Sequence, residues 1–97
     1  MNAEIDFEVI NKEDVPNYHF VSYDVLDSDD ERHHRKSELD KAMILGNSEH
    51  VKIKIFFMTV EGLKEVETTV WAATSESISL KGGIHIPIHS ISKIAFI

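Results

Sequence analysis

Residues 51–72 read VKIKIFFMTVEGLKEVETTVWA, with apolar and polar side chains alternating on both sides of a Glu61-Gly62 turn. Alternation with a period of two is typical of β-strands, because successive side chains point to opposite faces of a sheet. One face of this hairpin is predicted to carry Val51, Ile53, Ile55 and Phe57, then Val66, Thr68, Val70 and Ala72. The other face is predicted to carry Lys52, Lys54, Phe56 and Met58, then Glu65, Glu67, Thr69 and Trp71.

The sequence on the carboxyl side of this hairpin predicts three more short strands. Apolar residues alternate over residues 78–80, 84–88 and 91–96, and a glycine pair at 82–83 separates the first two. Pro87 has no backbone N–H to donate, so its strand is expected at a sheet edge or with the missing donor facing outward.

A helix is predicted immediately before the hairpin, over about residues 29–45. Ser28 and Glu31 have the spacing of a capping box, which satisfies the first backbone N–H groups of a helix. An apolar stripe at helical spacing follows, made of Leu39, Ala42 and Met43. Gly46 is interpreted as the left-handed residue that stops the helix.

The amino-terminal third is predicted to add strands to this unit. Ile5, Phe7 and Val9 alternate with acidic residues, and the aromatic and β-branched run 18–26 is a second strand candidate. We therefore expect one domain over residues 1–97, with N-terminal strands in 1–27, the helix in 28–46 and further strands in 50–97. The fold class is α+β, mainly β, as a small antiparallel barrel of five or six strands, since closure removes exposed sheet edges.

Three short motifs resemble the Sm-like barrels, a class of SH3-like small barrels that includes the bacterial RNA chaperone family Hfq. Residues 60–64 (VEGLK) resemble the hairpin of the first motif and residues 78–82 (ISLKG) its third strand. Residues 89–94 (HSISKI) resemble the end of the second motif, and the likeness covers about residues 38–97. The resemblance implies RNA binding through a Tyr-Lys pair, but Pro87 and Ile88 occupy those positions here, and a glycine of the second strand is replaced near Glu67.

The order of helix and strands also resembles the Rof family, small acidic Sm-like proteins that bind the termination factor Rho. In that family a helix leads directly into a strand and an acidic-Gly turn, as residues 49–62 do here. That resemblance implies a protein partner, and the net charge of −7 fits it better than it fits the RNA chaperones.

Composition excludes several classes of function. The chain has no cysteine, so disulfides and thiol chemistry are excluded, and no segment resembles a signal peptide or a membrane span. We therefore expect a cytoplasmic protein that acts away from membranes. Residues 1–31 contain ten acids and one base, whereas residues 32–97 contain seven acids and nine bases, so cationic surfaces are expected only in the second part.

Two clusters of polar residues suggest chemistry. The run Arg32-His33-His34-Arg35-Lys36 is interpreted either as a solvated helix face, with Glu31–Arg35 and Lys36–Asp40 pairs, or as a site for phosphates or an acidic partner. The six histidines invite a metal-binding interpretation. His34 and Glu38 lie one helical turn apart, but His85 and His89 are separated by about 13 Å along a strand, too far to share one zinc ion.

Phe56, Met58 and Trp71 are predicted to share the outer face of the hairpin. We expect the N-terminal strands to cover Trp71 there, beside Phe56 and Met58, in a second small core. The alternative is an exposed apolar patch that anchors a partner.

The sequence predicts a binding or regulatory module with a protein partner, no cofactor, no metal and no catalytic residue. RNA binding is the second hypothesis, a small enzyme or metal-binding protein using surface histidines is the third, and self-association stays an open alternative. The candidate partner-binding residues are Arg32, Arg35, Lys36, Lys52, Lys54, Phe56, Trp71, Lys81, His85 and His89.

Overall fold

The computed structural model describes residues 7–97, which fold into one α-helix, two short 3-10 helices and seven strands. The α-helix is α1 (Asp29–Glu49), and the 3-10 helices cover Lys12–Asn17 and Ile88–Ser90. The strands are β1 (Phe7–Ile10), β2 (Ile53–Thr59), β3 (Gly62–Thr68), β4 (Val70–Ala73), β5 (Ser77–Leu80), β6 (Ile84–Pro87) and β7 (Ile91–Phe96). The α+β, mainly β class is confirmed.

The strands form two sheets rather than one closed barrel, so the predicted barrel is not confirmed. One sheet has the order β1-β3-β2-β7 and the other the order β4-β5-β6. The chain passes from the first sheet to the second at Thr69, between β3 and β4. The two sheets and α1 enclose a single core, whose largest side chains are Phe57, Leu39, Ile53, Ile55, Ile78, Leu80, Ile86 and Ile91.

The N-terminal third differs from the prediction in two respects. The predicted strand around Ile5, Phe7 and Val9 is confirmed as β1 from Phe7 onward, while Ile5 lies outside the described residues. However, β1 pairs with β3 in the parallel direction, so the sheet is not antiparallel throughout. The predicted strand over residues 18–26 is wrong, because that segment makes one isolated bridge, between Phe20 and Thr59, rather than a ladder.

Helix α1 begins as predicted and ends later than predicted. The Ser28 hydroxyl accepts a hydrogen bond from the Glu31 N–H at 3.1 Å, which confirms Ser28 as the N-cap. The Glu31 carboxylate accepts from the Ser28 hydroxyl at 3.0 Å rather than from the Ser28 N–H, so the second bond of the predicted capping box is replaced. Leu39 and Ala42 are buried, as the stripe predicted. Gly46 is not the stop, since the helix continues to Glu49 and ends at His50, which has the left-handed conformation (φ 55°).

Gly46 instead allows α1 to approach β4 closely. A Cβ atom at this position would overlap the carbonyl oxygen of Val70 and press against the Thr69 side chain. Because one of these neighbours is backbone, the helix could accept a side chain here only by moving away from the sheet.

We predict that Gly46→Ala destabilises the protein, although alanine is intrinsically the better helix former by about 1 kcal/mol. Overpacking against the Val70 carbonyl should lower the free energy of unfolding by about 1–3 kcal/mol, measured by urea denaturation. Ser48→Ala, at an exposed position of the same helix, is the control and should stay within about 0.5 kcal/mol of wild type. An unchanged midpoint for Gly46→Ala would contradict the close approach.

A buried ion pair connects the segment before the helix to α1 and β7. The Arg35 guanidinium, 7% exposed, donates to both carboxylate oxygens of Asp24 at 2.9 and 2.8 Å and to the Ile91 carbonyl at 3.0 Å. The hydrogen bonds from Arg35, with a smaller contribution from the Leu26 N–H, lower the pKa of Asp24 below its ordinary value of 3.8. The predicted Glu31–Arg35 pair is therefore wrong, because Arg35 points into the protein and Glu31 caps the helix.

We predict that Asp24→Asn lowers the free energy of unfolding at neutral pH by about 3 kcal/mol, because it leaves a buried guanidinium without its counter-charge. This value is the low end of the usual range, since the Asp24 side chain is 25% exposed. The lowered pKa means that the carboxylate stabilises the fold fully above its unfolded value of about 3.9 and loses that effect as pH falls through the folded value.

The difference between wild type and Asp24→Asn in urea denaturation should therefore shrink as pH falls below about 4. Asp27→Asn makes the same chemical change at an exposed position and serves as the control. An equal loss in both variants would show that Arg35 does not depend on Asp24.

Candidate functional site

An open groove of about 620 Å³ lies where β1, the first 3-10 helix, the end of α1 and the start of β4 come together. We call it the Trp71 groove. Its lining is Val9, Ile10, Asn11, Lys12, Glu13, His50, Lys52, Glu67, Thr68, Thr69, Trp71 and Lys81. Of the ten predicted partner-binding residues, it brings together Lys52, Trp71 and Lys81.

A β-bulge places Trp71 at this groove. Val70 pairs with Leu80 and Ala72 pairs with Ser79, so Trp71 is an extra residue without a partner on β5. Bulges redirect side chains and are frequent next to functional sites. Here the Trp71 side chain remains 46% exposed, while its carbonyl accepts a hydrogen bond from Asn47 of α1 at 3.0 Å.

The predicted burial of Trp71 beside Phe56 and Met58 is therefore wrong. Trp71 belongs to the second sheet, and the bulge breaks the alternation that would have placed it on their face. Phe56 itself is buried, because Phe7 packs edge-on against its ring at 5.2 Å and the Lys93 ammonium lies 4.9 Å from its centre. The N-terminal strand thus covers Phe56 but not the tryptophan.

The groove around Trp71 is lined by three lysines and two glutamates. Lys52 precedes β2 and Lys81 follows β5; both are exposed, and neither makes a salt bridge with another residue of the range 7–97. Lys12 is paired with Glu13 at 3.5 Å. Glu13 and Glu67 contribute carboxylates to the same groove, so it offers both donors and acceptors.

His50 is the residue of this groove that sequence reasoning missed. It is the one non-glycine residue of the described range with a positive φ, a conformation that usually selects glycine at a helix end. Its ring centre lies 6.5 Å from that of Trp71, so the helix end presents an imidazole beside the indole. No local sequence signal indicates this, since the two residues belong to different elements.

The remaining predicted residues lie elsewhere. Arg32 donates to the Leu26 carbonyl at 2.9 and 3.1 Å, and Lys36 pairs with Asp40 at 3.1 Å, which confirms that predicted pair. Together with the buried Arg35, they belong to the other half of α1. Lys54 lies on β2, on the same face as Phe56.

The two candidate histidines of the last strands do not come together with the groove. The His85 ring contacts the Ser79 hydroxyl at 3.2 Å, and the His89 Nε2 contacts the Val21 carbonyl at 2.7 Å. Within residues 7–97, no three histidine, aspartate or glutamate side chains are grouped so that they could hold a metal ion.

In the same range no helix is long and apolar enough to cross a bilayer.

Comparison of the chain with family models, with curated proteins and with solved structures finds no match. The Trp71 groove is therefore interpreted from its own geometry and chemistry.

We predict that the fluorescence of Trp71, the only tryptophan, reports an exposed indole. Its emission should lie near that of free indole in water, and iodide should quench it readily. Trp71→Ala should cost clearly less than the roughly 3–5 kcal/mol typical of a fully buried aromatic, for which Phe57→Ala is the comparison. A blue-shifted emission that iodide cannot quench would show that the side chain is buried.

Proposed function

We propose that this protein is a non-enzymatic binding module whose partner is another protein, and that the Trp71 groove holds an extended segment of that partner. The observation that carries the proposal is the bulge that exposes Trp71 beside Lys52 and Lys81. Tryptophan is strongly enriched among the residues that dominate binding energy, because it offers a large rigid surface at little entropic cost.

The composition of the groove favours a specific kind of segment. An apolar side chain of the partner would pack on Trp71, and a carboxylate would accept hydrogen bonds from Lys52 and Lys81. Such charge-assisted hydrogen bonds are stronger than neutral ones. Glu13 and Glu67 would accept backbone or basic donors from the same segment, which gives the groove a preferred direction for its ligand.

Single-stranded RNA is the alternative, and it is favoured by the Sm-like resemblance and by the pairing of an aromatic ring with lysines. Three observations weigh against it. The chain has a net charge of −7, which repels phosphate backbones at long range, and two carboxylates line the groove itself. The absence of the Tyr-Lys pair at Pro87 and Ile88 removes the residues that the resemblance would assign to RNA.

An enzymatic role has less support than either binding role. His85 and His89, which the third hypothesis needs beside a carboxylate, contact a hydroxyl and a backbone carbonyl instead. His19 does contact Glu61, at 2.7 Å, but the histidine side chain is 77% exposed and does not line the groove. We place the protein's action in the cytoplasm, in keeping with a chain that has no cysteine.

The test is selection from a library of displayed random peptides, followed by affinity measurements on the selected sequences. Selected peptides should combine an apolar or aromatic residue with aspartate or glutamate. Trp71→Ala should weaken their binding about thirtyfold or more, as expected for a residue that contributes about 2 kcal/mol or more. Lys52→Gln and Lys81→Gln should each weaken it several-fold.

Tyr23→Ala and Lys36→Gln are the matched controls, because they remove an exposed aromatic ring and a lysine outside the groove. A salt series distinguishes the alternatives, since each phosphate contact of RNA contributes a slope of about −0.7 in log affinity against log salt. Retention of single-stranded RNA at low salt, lost in Trp71→Ala, together with no peptide selection, would favour RNA. Peptide binding that Trp71→Ala leaves intact would refute the groove as the site.

A further inference from the structure

A second, smaller cavity of about 240 Å³ lies on the other half of α1, facing the loop between β4 and β5. Its lining is Arg32, His33, Arg35, Lys36, Thr74, Ser75 and Ile88. Every charged residue in this lining is a cation, in a chain whose net charge is −7. We call it the Arg35 cavity. The Trp71 groove shares none of its residues.

The Arg35 side chain carries the strongest sign that a ligand belongs here. Both of its terminal nitrogens are hydrogen-bonded, but the buried Nε has no hydrogen-bond partner. Buried donors are rarely left unpaired, and for a charged group the cost is higher than for a neutral one. The Nε atom has almost no surface open to the cavity, so an incoming acceptor would satisfy it only with a small shift of the Arg35 side chain.

Of the three cavities that Arg35 lines, this one has the surroundings that best suit an anion. Two other cavities that Arg35 lines contain carboxylates, from Asp30, Glu31 and Glu38 in one and from Asp24 and Glu76 in the other. Those carboxylates repel an anion. The Arg35 cavity has no carboxylate in its lining, although Asp24, Asp29 and Asp40 pair with its cations from outside.

Hydroxyl groups complete the cavity on the side facing the helix. The Thr74 hydroxyl accepts hydrogen bonds from the Glu76 and Ser77 N–H groups at 3.2 and 3.1 Å, which fixes the loop conformation. The neighbouring Ser75 hydroxyl is exposed and makes no hydrogen bond within residues 7–97, so it remains able to donate. Guanidinium, ammonium and hydroxyl donors together match the oxygens of a phosphate group.

We infer that the Arg35 cavity binds a phosphate group, either as inorganic phosphate or as the end of a small phosphomonoester. Arg32 and Lys36 supply positive charge at the rim, Arg35 supplies positive charge at the buried side and Ser75 donates from the loop. This inference is independent of the peptide-binding proposal, because the two cavities share no residue.

The test is calorimetric titration with inorganic phosphate and with glycerol phosphate, at constant ionic strength set by chloride. Saturable binding is expected, together with a phosphate-dependent rise of the thermal midpoint, since a ligand that binds only the native state stabilises it. Tighter binding of glycerol phosphate would identify an ester as the ligand class, and equal or weaker binding would identify the free anion.

Lys36→Gln and Arg32→Gln should each weaken phosphate binding about tenfold, and Ser75→Ala about threefold to fivefold without any change of charge. Lys81→Gln is the matched control, because it removes the same charge from the Trp71 groove and should leave phosphate affinity unchanged. Conversely, Lys36→Gln should leave peptide binding unchanged.

The inference would be overturned by three results. One is the absence of saturable binding of either phosphate compound. Another is wild-type affinity in Lys36→Gln and Ser75→Ala, both of which change exposed residues and should fold normally. The third is an equal loss in Lys81→Gln, which would show a general effect of net charge instead of a site.

Discussion

The arrangement of the structure depends on the hydrogen bonds that the buried Arg35 guanidinium makes to Asp24 and to the Ile91 carbonyl. A buried positive charge is tolerated only with a counter-charge and hydrogen bonds, and the two terminal nitrogens of Arg35 obtain these from Asp24 and from the Ile91 carbonyl. The first partner lies in the irregular segment before α1, and the second lies on β7. Burying the arginine therefore requires the irregular segment, the helix and the last strand to meet at one place. The ion pair with Asp24 thereby holds the irregular segment, which has no strand ladder of its own, against the rest of the protein.

The contact between α1 and β4 positions both cavities. The helix lies against the strand at Gly46, with its end at the Trp71 groove, while its first half faces the loop that follows β4. Trp71 and the Thr74–Ser75 loop lie at opposite ends of this four-residue strand. A shift of the helix along β4 would therefore alter both cavities together, although they share no side chain. The chain is acidic overall, yet lysine or arginine side chains line both cavities beside the contact between α1 and β4.

The sequence was most informative where a local rule decides the structure. The Ser28 N-cap, the apolar stripe of α1 and the alternation in β2 and β3 each depend on near neighbours, and the structure confirms them. Tertiary contacts decided the rest. In the sequence, Gly46 is equally compatible with the end of a helix and with a close approach of the helix to another element. Only the position of the Val70 carbonyl distinguishes the two. The groove was recognisable only in its exposed lysines and single tryptophan, since the bulge at Trp71 and the placement of His50 depend on residues far away in the chain.

The parallel pairing of β1 with β3 has a consequence for how the chain folds. Glu8 and Lys64 are 56 residues apart, yet they are register partners joined by an ion pair. Closing the loop between such distant residues costs more conformational entropy than closing the tight turn at Gly62 that joins β2 and β3. We therefore expect the β2–β3 hairpin to form early and β1 to dock late, onto an edge that the hairpin has already built. Phe56 and one wall of the Trp71 groove would stay open to solvent until that last step, so the binding surface is completed only when the native topology is.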